Sequence, residues 1–170
     1  MAFMHRSTHF GIAAAGLTCL CALFAGSASA QSARELAGVW TLLSSDTVQS
    51  DGRRTPTLGT NPTGNLVFTE DGHFVWLLLN TELPKFASNN RASGTPEENA
   101  AVVRGSIAVY GTYSVVGQDL MFGIEQSTFP NWRGSQQKRT ITTFTSGELK
   151  WTNPAGSTGG VAELVFRRKN

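Results

Sequence analysis

Cysteine is nearly missing. Cys19 and Cys21 are the two in 170 residues, and both lie in the first thirty. Beyond that stretch no disulfide and no cysteine metal site can form, even in an oxidising compartment. Histidine is almost as sparse. His5 and His9 sit near the N-terminus, and His73 stands alone directly after a turn. A lone turn histidine is far more often solvated than ligating, so no metal site is expected. Charge is low as well, with 15% Asp, Glu, Lys and Arg and a formal net of +2. So weak a field does not point to nucleic acid, which needs a basic patch or stripe. So few charges also argue against a solvated, disordered chain. Gly-x-Ser-x-Gly, Gly-x-Gly-x-x-Gly and P-loop patterns are absent. That removes the sequence marks of nucleophile-elbow hydrolases and of dinucleotide and nucleotide binders. No cofactor is implied, and no catalytic residue is marked.

What the first thirty residues do contain is an address. Arg6, His5 and His9 precede an apolar run from Ile12 to Phe24, and Ala28-Ser29-Ala30 then leads to Gln31. This is the basic, apolar and A-x-A order of a secretory signal. The run is short against the ~20 residues of a membrane span, so no membrane association is expected after cleavage. Thr18 precedes Cys19 and Leu20 precedes Cys21, which does not suit lipidation. Residues 1–30 are therefore expected to be removed on export to the periplasm or beyond. The expected domain is 31–170, which is 170 − 30 = 140 residues with a net charge of 13 − 12 = +1. A chain of that size buries about two-thirds of its unfolded surface, enough for a core without staples.

The mature segment reads as strands. Val39–Gln49, Asn65–Thr69, His73–Asn80, Ile107–Val116, Leu120–Thr128, Gln136–Thr145, Leu149–Asn153 and Val161–Arg168 are rich in Val, Thr, Phe and Trp. Asp51-Gly52, Asp71-Gly72, Gly117-Gln118-Asp119 and Ser146-Gly147-Glu148 punctuate them, and Asp-Gly between apolar runs is a strong hairpin signal. A long Pro/Gly/Thr loop is expected over 53–64. One helix is expected from Pro96 to near Gly105, because Thr95 with Glu98 makes a capping box and Pro96 suits the first helical position. It is expected either to cross an opening or to lie on the wall. About eight antiparallel strands joined by short turns form a sandwich or a barrel. The apolar last strand (Val161, Leu164, Val165 and Phe166) favours closure into a barrel. Barrels of this size can hold one small ligand.

At this point the residues resemble a known family. Gly38-Val39-Trp40 resembles the Gly-x-Trp signature of lipocalins and other calycins. There the Trp closes the barrel floor against a basic residue of the last strand, which implies Gly38 and Trp40 with Arg167, or its neighbour Arg168. The chain is more specifically similar to the lipocalin-like domain family of small bacterial and fungal proteins. The resemblance runs through Asn61-Pro62-Thr63-Gly64-Asn65-Leu66, Thr69-Glu70-Asp71-Gly72, Gly94-Thr95-Pro96-Glu97-Glu98 and Tyr110-Gly111-Thr112-Tyr113. It continues in Phe129-Pro130-Asn131-Trp132-Arg133-Gly134 and Gln137-Lys138-Arg139, over nearly all of 36–168. The family pattern often carries histidines just upstream of Pro-Asn-Trp, and Phe122 and Gly123 stand there instead. The resemblance implies an up-and-down lipocalin-like barrel.

Period-two alternation sorts candidate contacts. Glu125 and Arg139 lie one strand apart, and Glu125, Gln137 and Arg139 match the family pattern. If they point inward they are polar handles in an apolar cavity, and Arg139 is suited to clamp a carboxylate. The alternative is a structural ion pair. Tyr113 either offers its hydroxyl to a ligand or satisfies it in the core. Trp132 either lines the mouth or plugs one end. Trp40 belongs to the floor, and Trp76 and Phe122 to the core or the cavity wall. His73–Asn80 is apolar on both faces, so the helix is expected to cover its outside. Three functions fit: an exported carrier of a small hydrophobic molecule, an isomerase or cyclase using Glu125 or Tyr113 to move a proton, and a packed barrel without a ligand.

Overall fold

The computed structural model describes residues 33–169, so the expected export signal lies outside the described residues. A helical turn at 33–36 leads into nine strands: β1 (Gly38–Val48), β2 (Arg54–Pro56), β3 (Pro62–Phe68), β4 (His73–Asn80), β5 (Ser106–Val116), β6 (Asp119–Ser127), β7 (Gln136–Phe144), β8 (Glu148–Asn153) and β9 (Val161–Arg168). Every pairing is antiparallel, each strand from β3 to β9 lies beside the next, and β9 pairs back onto β1. The sheet closes into an eight-strand barrel, with β2 as an extra strand. The long β1 makes this possible. Its Gly38–Thr41 half pairs with β3, while Asp46–Val48 pairs with β2. β9 runs along the other edge of β1 from Trp40 to Val48.

Turn chemistry sets the meander. At Thr69–His73 the loop is longer than a two-residue turn: Gly72 N–H donates to the Thr69 carbonyl and Thr69 N–H to that of His73. The helix α1 (Pro96–Gly105) starts as the capping box requires. Thr95 Oγ1 accepts from Glu98 N–H at 3.2 Å, and the Glu98 carboxylate accepts from Thr95 N–H at 2.8 Å. Glu98 also accepts from Ala87 N–H at 2.8 Å, which ties the preceding loop to the helix. These bonds to Ala87 and Thr95 hold its carboxyl below the usual range.

α1 does not cover β4. Val75 and Leu77 remain 47% and 48% exposed, beside an exposed Tyr110 on β5. The two-sided apolar reading of that strand gives way to an ordinary antiparallel wall with one face in solvent. α1 sits at one end of the barrel, where Val102, Val103 and Arg104 help form the mouth.

The other end is solid. Leu36, Trp40, Phe68, Tyr113, Val115, Leu120, Phe122, Leu149 and Phe166 are all buried there and along the axis. Phe122 packs on Phe74 (centroids 4.5 Å apart) and edge-on to Trp76 and Trp151 (5.3 and 5.9 Å). Such tilted and edge-to-face pairs are favoured over flat sandwiches. The floor carries the Gly-x-Trp device. Trp40 Nε1 donates to the Leu36 carbonyl at 2.8 Å, and the guanidinium of Arg168 lies 4.1 Å from the centre of the Trp40 ring. Arg168, not Arg167, is the partner. Trp40 faces inward and pairs in register with Arg168, whereas Arg167 pairs with Thr41 and is exposed. Gly38 has φ +127°, and a Cβ there would stand 3.0 Å from Arg168 Nη1. The glycine is required by both backbone and guanidinium.

Candidate functional site

Above the aromatic layer the barrel is hollow. The cavity is about 560 Å³ and opens at the α1 end. Its walls are Trp76 and Leu78 from β4, Ile107 from β5, Arg139 from β7, Trp151 and Asn153 from β8, and Ala162 and Leu164 from β9. Ser45 of β1 and Leu58 of the 57–61 loop add to the wall, and Phe129 and Trp132 come from the short 3-10 turn region around Pro130–Trp132. The rim is α1 together with the loop 156–158. This lining is mainly apolar and aromatic with a few polar groups, as ligand sites usually are. A smaller cleft of about 240 Å³ lies outside, near the floor, between Glu35, Ile141 and Phe144. No described residue of that cleft is a buried charge.

Arg139 is the unusual member. It is 3% exposed, and desolvation pushes its pKa down to about 10, so it stays cationic at neutral pH. Nη1 donates to the Lys138 carbonyl at 3.0 Å, and Nη2 donates to Gln137 Oε1. Gln137 is itself anchored, its Nε2 donating to Ser135 Oγ at 3.0 Å, and Ser135 Oγ donates to the Trp132 carbonyl at 2.6 Å. The guanidinium carbon lies 5.8 Å from the Trp132 ring and 5.9 Å from that of Phe122, close enough for cation–π attraction. Gln137 therefore positions Arg139 and does not line the cavity. Phe122 is fully buried beneath it as packing.

Glu125 lies elsewhere. A bulge in the β5–β6 ladder sets Tyr110 opposite Gln126 and Gly111 opposite Ile124, so Glu125 is the extra residue. It is exposed, does not line the cavity, and makes no ion pair with Arg139. Neither the inward pair of Glu125 and Arg139 nor an ion pair between them forms: Leu120, Phe122 and Ile124 take the inner face of β6, so alternation puts Glu125 on the outer face, and the bulge leaves it exposed. Tyr113 is also removed from the cavity. Its hydroxyl lies within hydrogen-bond distance of two backbone carbonyls, Ala33 (3.0 Å) and Thr69 (2.8 Å), and burial raises its pKa. Trp132 and Trp76 line the cavity as one of their two readings had it. Trp151, Leu78, Ile107, Leu164 and the rim Arg104 join them. Alternation sorts the residues of a strand into two faces, but only closure of the barrel tells hollow from core.

Among the described residues, no group of three or more His, Cys, Asp or Glu could hold a metal ion. No described helix is long and apolar enough to cross a membrane.

The chain is similar to a lipocalin-like protein from Bacteroides uniformis, with 15% identity, a TM-score of 0.46, and coverage of 79% of this chain and 99% of that one. It is also similar to a de novo designed fluorescence-activating β-barrel, with 15% identity, a TM-score of 0.40, and coverage of 81% and 97%. No curated protein matches the chain. The sequence profile of the lipocalin-like domain matches residues 37–168, which span the barrel from the floor glycine to the arginine stacked on Trp40. This chain belongs to the lipocalin-like domain family.

Proposed function

We propose that this protein is an exported binder of one small, largely apolar molecule, held in the open half of the barrel. The observation that carries the reading is the cavity itself: about 560 Å³, walled by Trp76, Leu78, Ile107, Trp132, Trp151 and Leu164. Moving apolar ligand surface into such a wall contributes roughly 25 cal/mol per Å². The strands that carry the wall are closed into a ring, so the hollow is largely formed before a ligand arrives. The packed-barrel alternative describes only the floor half. The proton-transfer alternative assigned the chemistry to Glu125 or Tyr113, and neither lines the cavity.

The test is titration of the folded protein with N-phenyl-1-naphthylamine, a neutral fluorescent aromatic. Three tryptophans in the wall report directly. Saturable quenching of their emission with a stoichiometry near one per chain is expected, together with a gain in probe fluorescence. Ile107→Trp, which fills the hollow from β5, should weaken the probe by about tenfold or more. Absence of saturable binding by a folded wild-type chain would overturn the reading.

A further inference from the structure

The hollow is apolar, yet the charged groups in its lining are all of one sign. Arg139 and Arg104 line it, and no Asp or Glu does. Among the described residues, no carboxylate lies within ion-pair distance of Arg139. A guanidinium carries five N–H donors. Two hydrogen bonds are made, to the Lys138 carbonyl and to Gln137 Oε1, so donors are left over. Trp76 and Trp151 add to the excess. Both are in the cavity wall, and their buried indole N–H groups have no acceptor among the described residues.

A buried cation without a counter-charge is costly, and so is a buried donor without an acceptor. The ring faces of Phe122 and Trp132 offset part of the cost, and no carboxylate among the described residues supplies the counter-charge. The Ser135–Gln137 chain meanwhile holds the guanidinium in place through Nη2. A site that keeps a fixed cation in a greasy wall, with spare donors beside it, is organised for an acceptor that comes from outside. One planar fork matches one carboxylate. A doubly charged phosphate would call for more cations than a single buried arginine.

We propose that the ligand is an amphiphilic monocarboxylate, with its apolar body in the barrel and its carboxylate on Arg139. This rests on the cavity being a binding site and adds the head group. The apolar body has two possible sources, an alkyl chain or a fused aromatic ring, and the probes separate them.

The experiment compares head groups on a constant body by competition against N-phenyl-1-naphthylamine at neutral pH. The alkyl series is decanoate, decan-1-ol and decylamine. The aryl series is naphthalene-2-carboxylate and naphthalene-2-methanol. In the wild type, the acid should outcompete its alcohol by about tenfold or more in at least one series, and decylamine should be weakest of the alkyl set. The series with the larger acid preference identifies the body. In Arg139→Met the acid-to-alcohol ratio should fall to near one. Acid and alcohol binding equally to the wild type would overturn the carboxylate proposal while leaving the apolar site standing. Failure of every probe, including the neutral reporter, would overturn both. The wild-type ratio decides the matter even if Arg139→Met does not fold.

Discussion

Arg168 shows how much one side chain holds at the floor. Its Nε donates to the Ser146 carbonyl at 3.0 Å and Nη1 to that of Ala37 at 2.7 Å, while Nη2 donates to the Glu35 carbonyl. Its plane also covers Trp40 at 4.1 Å. It therefore ties the β7–β8 turn, the helical turn before β1 and the floor indole to the end of β9. Removing it deletes a cation–π contact and leaves carbonyls without a donor. Arg168→Ala should lower the unfolding free energy by about 2 kcal/mol, whereas Arg167→Ala on the outer face should change it by less than about 0.5 kcal/mol. Urea unfolding followed by tryptophan emission checks this, and equal effects would return the floor role to Arg167. Parity explains why the two arginines looked interchangeable. The sequence supplies adjacent arginines, and only the register Trp40–Arg168 says which shares the face of Trp40.

At the scale of elements, the β5–β6 bulge is the most consequential irregularity. It depends on Gly111, where an added Cβ would stand 2.0 Å from the Gly123 carbonyl oxygen and 2.9 Å from Glu125 N. Gly111→Ala must force the ladder open, at a cost of about 3 kcal/mol or a failure to fold. Gly147, with nothing within 4 Å of such a Cβ, is the control, and Gly147→Ala should shift thermal stability little. Thermal melts of the two variants suffice, and similar melting points would contradict the account. The bulge also shows where sequence reading stops. Strand limits were legible to within a residue or so for β4 to β9, since turn residues punctuate them, and α1 was legible from Thr95, Pro96 and Glu98. Arg54–Pro56 has no alternation, so β2 falls inside the loop expected over 53–64. Leu120, Phe122 and Ile124 do point inward as alternation requires, but the added residue exposes both Glu125 and Gln126. A lone glycine in a strand otherwise rich in Val, Ile and Tyr was the available signal for it. Arg139 was legible as a candidate from its pattern. Its isolation from any acid is not, because that depends on the β6–β7 register, which sets Arg139 opposite the inward Leu120 and ends the ladder before Glu125.

At the scale of the whole molecule, closure depends on the seam around β9. Glu163 on β9 accepts from Arg54 on β2, and Lys150 on β8 lies 3.1 Å from its other oxygen. Asp46 on β1 is 3.7 Å from the same arginine. The hydrogen bond from Arg54, ahead of the attraction of Lys150, holds the Glu163 carboxyl below its ordinary value of 4.5. The folded state thus binds this proton more weakly than the unfolded chain. The stabilisation is complete above the unfolded pKa and is lost as pH falls through the lowered folded value. Melting temperature should therefore drop as the solution is acidified below about pH 4.5. Glu163→Gln should remove that part of the acid slope and lower stability at neutral pH by on the order of 1 kcal/mol, the scale of partly exposed ion pairs. Calorimetry of both proteins from neutral pH to pH 3 isolates Glu163 from the other acids whose pKa values are lowered, such as Asp119 and Asp71. Identical acid slopes would show that the seam does not depend on this carboxylate.

A chamber closed below by the Phe74 and Phe122 layer, with its doorway beside Val102 and Val103, would make the traffic of the proposed ligand single-file. Whatever comes to rest deepest must cross the threshold first, and whatever crosses last stays near the exit. Two guests cannot pass each other, so replacement requires departure before arrival. Discrimination then falls on the leading end of a guest, while its trailing end is free to vary in length into the surrounding water.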